Sequence, residues 1–239
     1  MMRIRAGRFV VMAIMLALAA CTSSPGSTDT ALDDGSGSTA PATSSSVEDQ
    51  PLALADQSRG GIGITLTQPS DWSGETDSWA METGPSGFDR PDGAGIIAFV
   101  VDEKFYVYRD PCKWSSTRPG TPATTVDELV AALSNQRLRD PSAPENVSVD
   151  GFSGKKIMLT VPNEAVWRDC DRHHFATLGV AGEDPALWAQ GRGEIDEVWI
   201  FDVDGRMALL EAGYYAGTPQ FRVDEVHAIL DSMRFEPAR

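Results

Sequence analysis

The chain has 239 residues, of which 41% are hydrophobic, and its 35 acidic and 20 basic side chains give a formal net charge of −15. This length and composition suit a single globular domain with a sizeable core. The acidic balance excludes a broad basic surface for nucleic acid, and it would repel anionic lipid headgroups. Charge alone therefore would not bring this protein to a membrane surface.

The N-terminal residues have the pattern of an export signal. Residues 1–8 are rich in arginine, and residues 9–20 form an apolar run that is shorter than the roughly twenty residues a membrane span takes. The run ends in Leu18-Ala19-Ala20-Cys21, which resembles the lipobox of bacterial lipoproteins. We therefore predict a signal peptide at residues 1–20 and a lipid on Cys21, which would anchor the protein to the outer face of the cell membrane. An ordinary secretory signal or an uncleaved anchor is the alternative.

The segment after Cys21 has the composition of a tether. Residues 21–58 are dominated by Ser, Thr, Gly, Pro and Asp and contain few large aliphatic residues. Such a segment cannot bury enough apolar surface to offset its loss of conformational entropy. We predict that residues 21–58 are disordered and that residues 59–239 form one globular domain, held away from the bilayer by this tether.

Alternating apolar residues and turn residues predict strands along the domain. The alternation at residues 62–66 predicts a half-buried strand. The apolar runs at 96–101 and 105–108 predict two strands joined by a turn. The Asp204-Gly205 pair lies between two further apolar runs and predicts a tight hairpin.

Two amphipathic helices are predicted, each with a recognisable start. Thr125 and Glu128 have the spacing of a capping box, which predicts a helix that runs to about residue 138. Thr218 as N-cap and Pro219 at the first helical position predict the last helix. Because hairpins outnumber crossovers, the sequence predicts an α+β fold in which two amphipathic helices pack on a mainly antiparallel sheet.

Several motifs resemble known families. A hairpin and helix closed by Asp231-Ser232-Met233-Arg234-Phe235 resemble the end of PsbP-like domains, a fold shared by photosystem accessory proteins and several actinobacterial lipoproteins. Three further motifs resemble uncharacterised actinobacterial exported proteins: Asp110-Pro111-Cys112, Val149-Asp150-Gly151 and Trp199-Ile200-Phe201-Asp202-Val203-Asp204-Gly205. The resemblance covers about residues 61–237 and implies a PsbP-like sandwich from which residues 163–194 depart. It implies no catalytic residue.

The two other cysteines are predicted to pair. If Cys21 carries lipid, Cys112 and Cys170 remain in a compartment that permits disulfides. The alternative is zinc, because Cys170 and His173 have a Cys-x-x-His spacing to which Cys112 could add a third ligand. Structural zinc sites usually show two such ligand pairs and this chain shows one, so we favour the disulfide and expect no metal or cofactor.

The sequence contains few of the motifs that are typical of enzymes. The chain has no nucleophile elbow, no HExxH motif and no phosphate-binding loop. His173 and His174 lie near Asp169 and Asp171, but adjacent side chains point in different directions and cannot easily share one ion. The sequence therefore favours a non-enzymatic protein, with a hydrolase-type site at residues 163–194 as the alternative.

Three tryptophans are the candidate binding residues. Trp114, Trp167 and Trp188 lie in polar, turn-rich segments around the cysteine pair, where exposed aromatic rings could line a cleft. We expect them to lie outside the core and to bind an envelope protein, a cell-wall glycan or a small ligand; the alternative is that they pack against the ends of the sheet. The sequence thus predicts a lipid-anchored binding or accessory protein of the cell envelope, whose ligand it does not identify.

Overall fold

The computed structural model describes residues 50–55, 62–70, 72–74, 80–83, 94–102, 104–116, 120–164, 167–180 and 183–236. The predicted signal peptide, Cys21 and most of the predicted tether lie outside the described residues. Within these ranges, neither of the two α-helices is long and apolar enough to cross a membrane.

The described residues form fourteen strands and two α-helices. The helices are α1 (Val126–Ser134) and α2 (Gln220–Asp231). The strands are β1 (Gln50–Ala55), β2 (Gly63–Gln68), β3 (Trp72–Gly74), β4 (Ala80–Thr83), β5 (Ala94–Asp102), β6 (Phe105–Val107), β7 (Asp140–Pro141), β8 (Glu145–Val149), β9 (Phe152–Thr160), β10 (Phe175–Val180), β11 (Glu183–Ala189), β12 (Glu194–Val203), β13 (Arg206–Tyr215) and β14 (Arg234–Glu236).

These strands pair into three sheets. The large sheet has the order β3–β4–β5–β13–β12–β9–β7, and β8 also pairs with β9. The smaller sheets have the orders β1–β2–β14 and β11–β10–β6. Every pairing among the described strands is antiparallel. The predicted α+β class, with a mainly antiparallel sheet and two helices, is confirmed.

The β12–β13 hairpin lies in the middle of the large sheet. Its strands pair along their full lengths, and Asp204 and Gly205 have φ angles of 54° and 83°. A tight hairpin turn requires this left-handed backbone, which Gly adopts without strain. The hairpin predicted from the Asp204-Gly205 pair is confirmed.

Each face of this hairpin is covered by one helix and one smaller sheet. Val198 and Ile200 contribute to a core with α1, β6, β9, β10 and β11. Trp199 and Phe201 point to the opposite face and contribute to a core with α2, β2 and β14. The protein therefore has three layers, with the large sheet between two apolar cores.

Helix α1 begins as predicted and ends earlier. The Thr125 hydroxyl accepts the backbone N–H of Glu128 at 3.2 Å, which is one half of the predicted capping box. The Glu128 carboxylate accepts two bonds from Thr124 instead of closing the box. The helix ends at Ser134 rather than near residue 138, where Leu138 has a left-handed φ of 59° that a helix cannot contain.

The predicted cap of α2 is wrong by one residue. The Thr218 hydroxyl accepts the backbone N–H of Tyr215 at 3.0 Å, so it closes the turn after β13 instead of capping the helix. Pro219 is the N-cap, and the first helical residue is Gln220. The Thr218 hydroxyl could accept a backbone N–H either from the start of the helix or from the preceding turn, and in the structure it accepts the one from the turn.

The predicted boundary at residue 58 also needs a correction. Strand β1 lies inside the predicted tether of residues 21–58 and pairs with β2 along its whole length. Its short apolar sequence, Pro51-Leu52-Ala53-Leu54-Ala55, is enough to add an edge strand to a sheet that already exists. The folded part of the chain therefore begins by residue 50.

The segment at residues 163–194, which is predicted to depart from a PsbP-like core, contains the strands β10 and β11.

Gly154 marks a close approach of two strands in the large sheet. A Cβ atom at this position would lie 2.3 Å from the carbonyl oxygen of Ile200 and 2.6 Å from the Phe201 ring. We predict that Gly154→Ala lowers the free energy of unfolding by about 1–3 kcal/mol, because backbone must shift to make room. Gly120→Ala is the control, since its added methyl meets nothing within 4 Å. Equal denaturant midpoints for the two variants would contradict this packing.

Candidate functional site

The predicted disulfide joins two segments at one end of the small β11–β10–β6 sheet. Cys112 and Cys170 are bonded, with their Cα atoms 4.3 Å apart. Cys170 lies between two short 3-10 helices, Trp167–Asp169 and Asp171–His173, and the N–H of Asp171 donates to the carbonyl of Cys112 at 2.8 Å. The disulfide prediction is confirmed, and it leaves neither thiol free for the alternative zinc site.

Asp171 fastens these two segments to each other. Its Oδ2 accepts four hydrogen bonds of 2.9–3.0 Å, from the backbone N–H and the hydroxyl of both Ser115 and Ser116. Burial alone would raise the pKa of Asp171, but the bonds from Ser116 and Ser115 prevail and lower it. The ionised carboxylate thus stabilises the conformation of the loop at Ser115 and Ser116.

Trp114 lies beneath this loop, in the core. Only 2% of it is exposed, and its Nε1 donates to the carbonyl of Asp171 at 3.0 Å. Its ring meets Tyr108 edge-on with 6.0 Å between centroids, and the Arg172 guanidinium lies 5.2 Å from its centroid. The prediction that Trp114 lies outside the core is wrong, because the polar residues that follow it bond to Asp171 instead of to water.

Trp188 has the exposure that the sequence predicts. It is 37% exposed on β11 and stacks on His174, with 5.3 Å between ring centroids and 7° between ring planes. His174 directly precedes β10, the neighbouring strand, so the two rings are carried by adjacent elements. Trp167 opens the first 3-10 helix, and its side chain lies outside the described residues.

The histidine pair does not form an acid–base pair with the nearby aspartates. The backbone N–H of His174 donates to the carbonyl of Asp171 at 3.1 Å, but among the described residues no hydrogen bond joins the imidazole of His173 or His174 to the carboxylate of Asp169 or Asp171, and no group of three metal-ligating side chains is found. His174 stacks on Trp188, whereas His173 is exposed with a left-handed φ of 60°. The arrangement places an aromatic surface at this corner.

A cluster of buried carboxyl groups, absent from the sequence predictions, lies on the α1 face of the β12–β13 hairpin. Glu194, Asp196 and Glu211 are 1%, 0% and 2% exposed. Asp196 forms an ion pair with Arg139 at 2.7 Å. Burial and the charge of Asp196 raise the pKa of both glutamates well above the ordinary value, although Arg139 partly opposes the rise at Glu211. We call Glu194, Asp196, Glu211 and Arg139 the acid cluster.

A second polar group lies on the opposite face of the hairpin. Glu197 is 2% exposed, and its Oε1 lies 2.8 Å from both the Tyr214 hydroxyl and Nε2 of His227. Burial and the neighbouring Glu197 carboxylate raise the pKa of Tyr214, so the phenol keeps its proton and donates. This contact ties α2 to the sheet.

Comparison of the sequence with protein-family models and with curated proteins found no match. Among solved structures, the chain is similar to LpqN of Mycobacterium tuberculosis, described as involved in cell envelope biogenesis, with 13% identity, a TM-score of 0.44 and coverage of 80% of this chain and 92% of that one. It is also similar to the cyanobacterial PsbP of Synechocystis sp. PCC 6803, with 9% identity, a TM-score of 0.38 and coverage of 78% and 92%. At these identities, neither likeness is an argument about function.

The different burial of two tryptophans predicts different costs of truncation. Trp114→Ala should lower the free energy of unfolding by about 3–5 kcal/mol, because it empties a core site and removes the indole donor from the Asp171 carbonyl, which keeps only the N–H of His174. Trp188→Ala should cost less than about 1 kcal/mol, because its ring is partly in water. Denaturant unfolding of both oxidised variants measures this difference. Equal losses would show that Trp114 is not a core residue.

Proposed function

We propose that this protein is a lipid-anchored, non-enzymatic binding or accessory protein of the cell envelope, and that it binds a cell-wall glycan at Trp188. The observation that carries the binding site is the exposed Trp188 ring, stacked flat on His174 beside a disulfide. A flat aromatic face gives large contact area at low entropic cost and suits the apolar face of a sugar ring. We call the Trp188–His174 pair the aromatic ledge.

The acidic side chains of this region support a binding role over catalysis. The Oδ2 atom of Asp171 accepts four bonds from Ser115 and Ser116, so this oxygen serves the loop. The three carboxyls of the acid cluster are at most 2% exposed, so a substrate in solvent cannot reach them. Catalysis needs a titratable group within hydrogen-bond reach of the reacting atoms, and the buried acid cluster does not meet this requirement.

The location rests on the N-terminal sequence. Leu18-Ala19-Ala20-Cys21 follows a charged and then an apolar segment, the order that lipoprotein signals show. A lipid on Cys21 explains how so acidic a protein stays at a membrane whose anionic headgroups repel it. The disulfide between Cys112 and Cys170 fits an oxidising compartment outside the cytoplasm.

The anchor can be tested by removing its acceptor thiol. We predict that Cys21→Ser leaves the signal uncleaved or releases the protein from the membrane fraction, because the serine hydroxyl cannot replace the thiol that takes the lipid. Membrane fractionation and intact mass spectrometry measure both results. Wild-type protein without any added mass at Cys21 would contradict the anchor.

The binding site can be tested by truncating the aromatic ledge. We predict that Trp188→Ala weakens retention on purified cell-wall glycan by roughly tenfold, equivalent to about 1.4 kcal/mol of lost stacking. Phe221→Ala is the matched control, since Phe221 is an exposed aromatic residue on α2 with 58% exposure. Both variants should keep the wild-type melting temperature within a few degrees. Equal retention of the two variants would exclude Trp188 as the glycan contact.

A further inference from the structure

The acid cluster has more potential negative charge than its surroundings can balance. Arg139 pairs with Asp196, while Glu194 and Glu211 are left with raised pKa values in the same enclosed space. The groups that face them are Tyr215 on β13, Thr177 and Phe175 on β10, and the turn at residues 190–193. Tyr215, Thr177 and Phe175 are uncharged at neutral pH, and Arg192, the one basic residue of the turn, is exposed to solvent. A protonated glutamate can share its proton with Asp196, whereas an ionised one repels it.

Glu194 connects this cluster to the turn that follows Trp188. Its Oε2 accepts the backbone N–H groups of Gln190 and Gly191, the latter at 2.9 Å. The Gln190 side chain in turn donates to the carbonyl of Trp188 at 3.2 Å. The turn is also tightly packed, since a Cβ on Gly191 would lie 2.5 Å from the Tyr215 hydroxyl.

Arg139 connects the same cluster to the other half of the aromatic ledge. Its Nη2 donates to the Thr177 hydroxyl at 2.7 Å, and its guanidinium lies 5.3 Å from the centroid of the Phe175 ring. Phe175 directly follows His174, which stacks on Trp188. Glu194 thus contacts a residue two positions from Trp188, and Arg139 contacts the residue next to His174. Both rings of the ledge therefore lie within two residues of a contact with the acid cluster.

We propose that the acid cluster is a proton-operated latch, which holds the turn at residues 190–193 closed while Glu194 is protonated and releases it when that proton is lost to solvent. In the closed state, one negative and one positive charge balance inside the protein. The N–H of Gly191 favours the ionised form of Glu194, but burial and the charge of Asp196 outweigh it, so after deprotonation the carboxylate gains by moving into the water beside the adjoining turn. The turn then loses its two bonds to Oε2, and the position of Trp188 is no longer fixed.

The direction of the pH dependence follows from the two states of Glu194. The pKa of Glu194 is raised in the closed state and ordinary in the open one, so opening releases a proton at any pH between these two values. Within that window the open population grows about tenfold for each unit of rising pH, and above it the population becomes constant. The ledge is thus rigid in acid and becomes mobile as the medium becomes more alkaline.

Amide hydrogen exchange of the full folded domain tests the latch without any ligand, so its result is independent of the proposed glycan. The opening equilibrium of residues 189–193 is obtained at a series of pH values after correction for intrinsic exchange. We expect it to rise at least roughly tenfold across the window in the wild-type protein. Glu194→Gln keeps an acceptor oxygen but cannot titrate, so its slope should fall well below that of the wild type.

Asp204→Asn is the matched control, because Asp204 is an exposed acid in the turn at the opposite end of the β12–β13 hairpin. It should keep the full wild-type slope. If Glu194→Gln does not fold, Glu211→Gln removes the neighbouring acid that competes for the same site and should also reduce the slope. A flat wild-type profile, equal slopes in wild type and variant, or exchange that rises only together with the β12 and β13 core amides would overturn the latch.

Discussion

The burial of β12 and β13 on both faces is the constraint on which the rest of the structure depends. Every residue from 207 to 213 is buried, so β13 reads as an almost continuous apolar run, interrupted by Glu211, rather than as alternation. Such a pair is stable only if each face is covered, and α1 and α2 provide one cover each. The Asp204-Gly205 turn fixes the register, and a slip by one residue would exchange Ile200 and Phe201 between the two cores.

The same constraint governs the polar residues at the far end of the hairpin. Carboxyl groups buried there must be neutralised, because an isolated charge in the interior costs several kcal/mol. Asp196 has Arg139 on one face, and Glu197 has Tyr214 and His227 on the other. Glu194 depends on backbone donors of the adjoining turn and on a proton. The raised pKa of Glu194 ties the stability of this end of the sheet to pH, whereas Asp202 and Asp204 at the other end are exposed.

Features set by local chemistry could be predicted from the sequence, and features set by distant partners could not. The Asp204-Gly205 turn and the Thr125 cap each depend on a few neighbouring atoms, and the cysteine pair followed from counting thiols. The burial of Trp114 depends on Asp171, which is distant in sequence and draws two serines away from water. The stack of His174 on Trp188 required the pairing of β10 with β11. Glu211 alone left a visible signal, as a charge inside an apolar strand.

The segments next to the aromatic ledge are ordered mainly by a disulfide and by hydrogen bonds to Asp171, and little by hydrophobic burial. The segment around Cys170 is polar and would be costly to order on hydrophobic burial alone. The disulfide spans 58 residues of sequence, and closing a loop of that length removes about 4 kcal/mol of unfolded-state entropy in the chain-entropy account. Together with the bonds to Asp171, this crosslink orders the corner before any ligand arrives. Binding on a surface ordered in advance would lose less entropy, so the proposed glycan contact fits Trp188 on this corner better than Phe221 on α2.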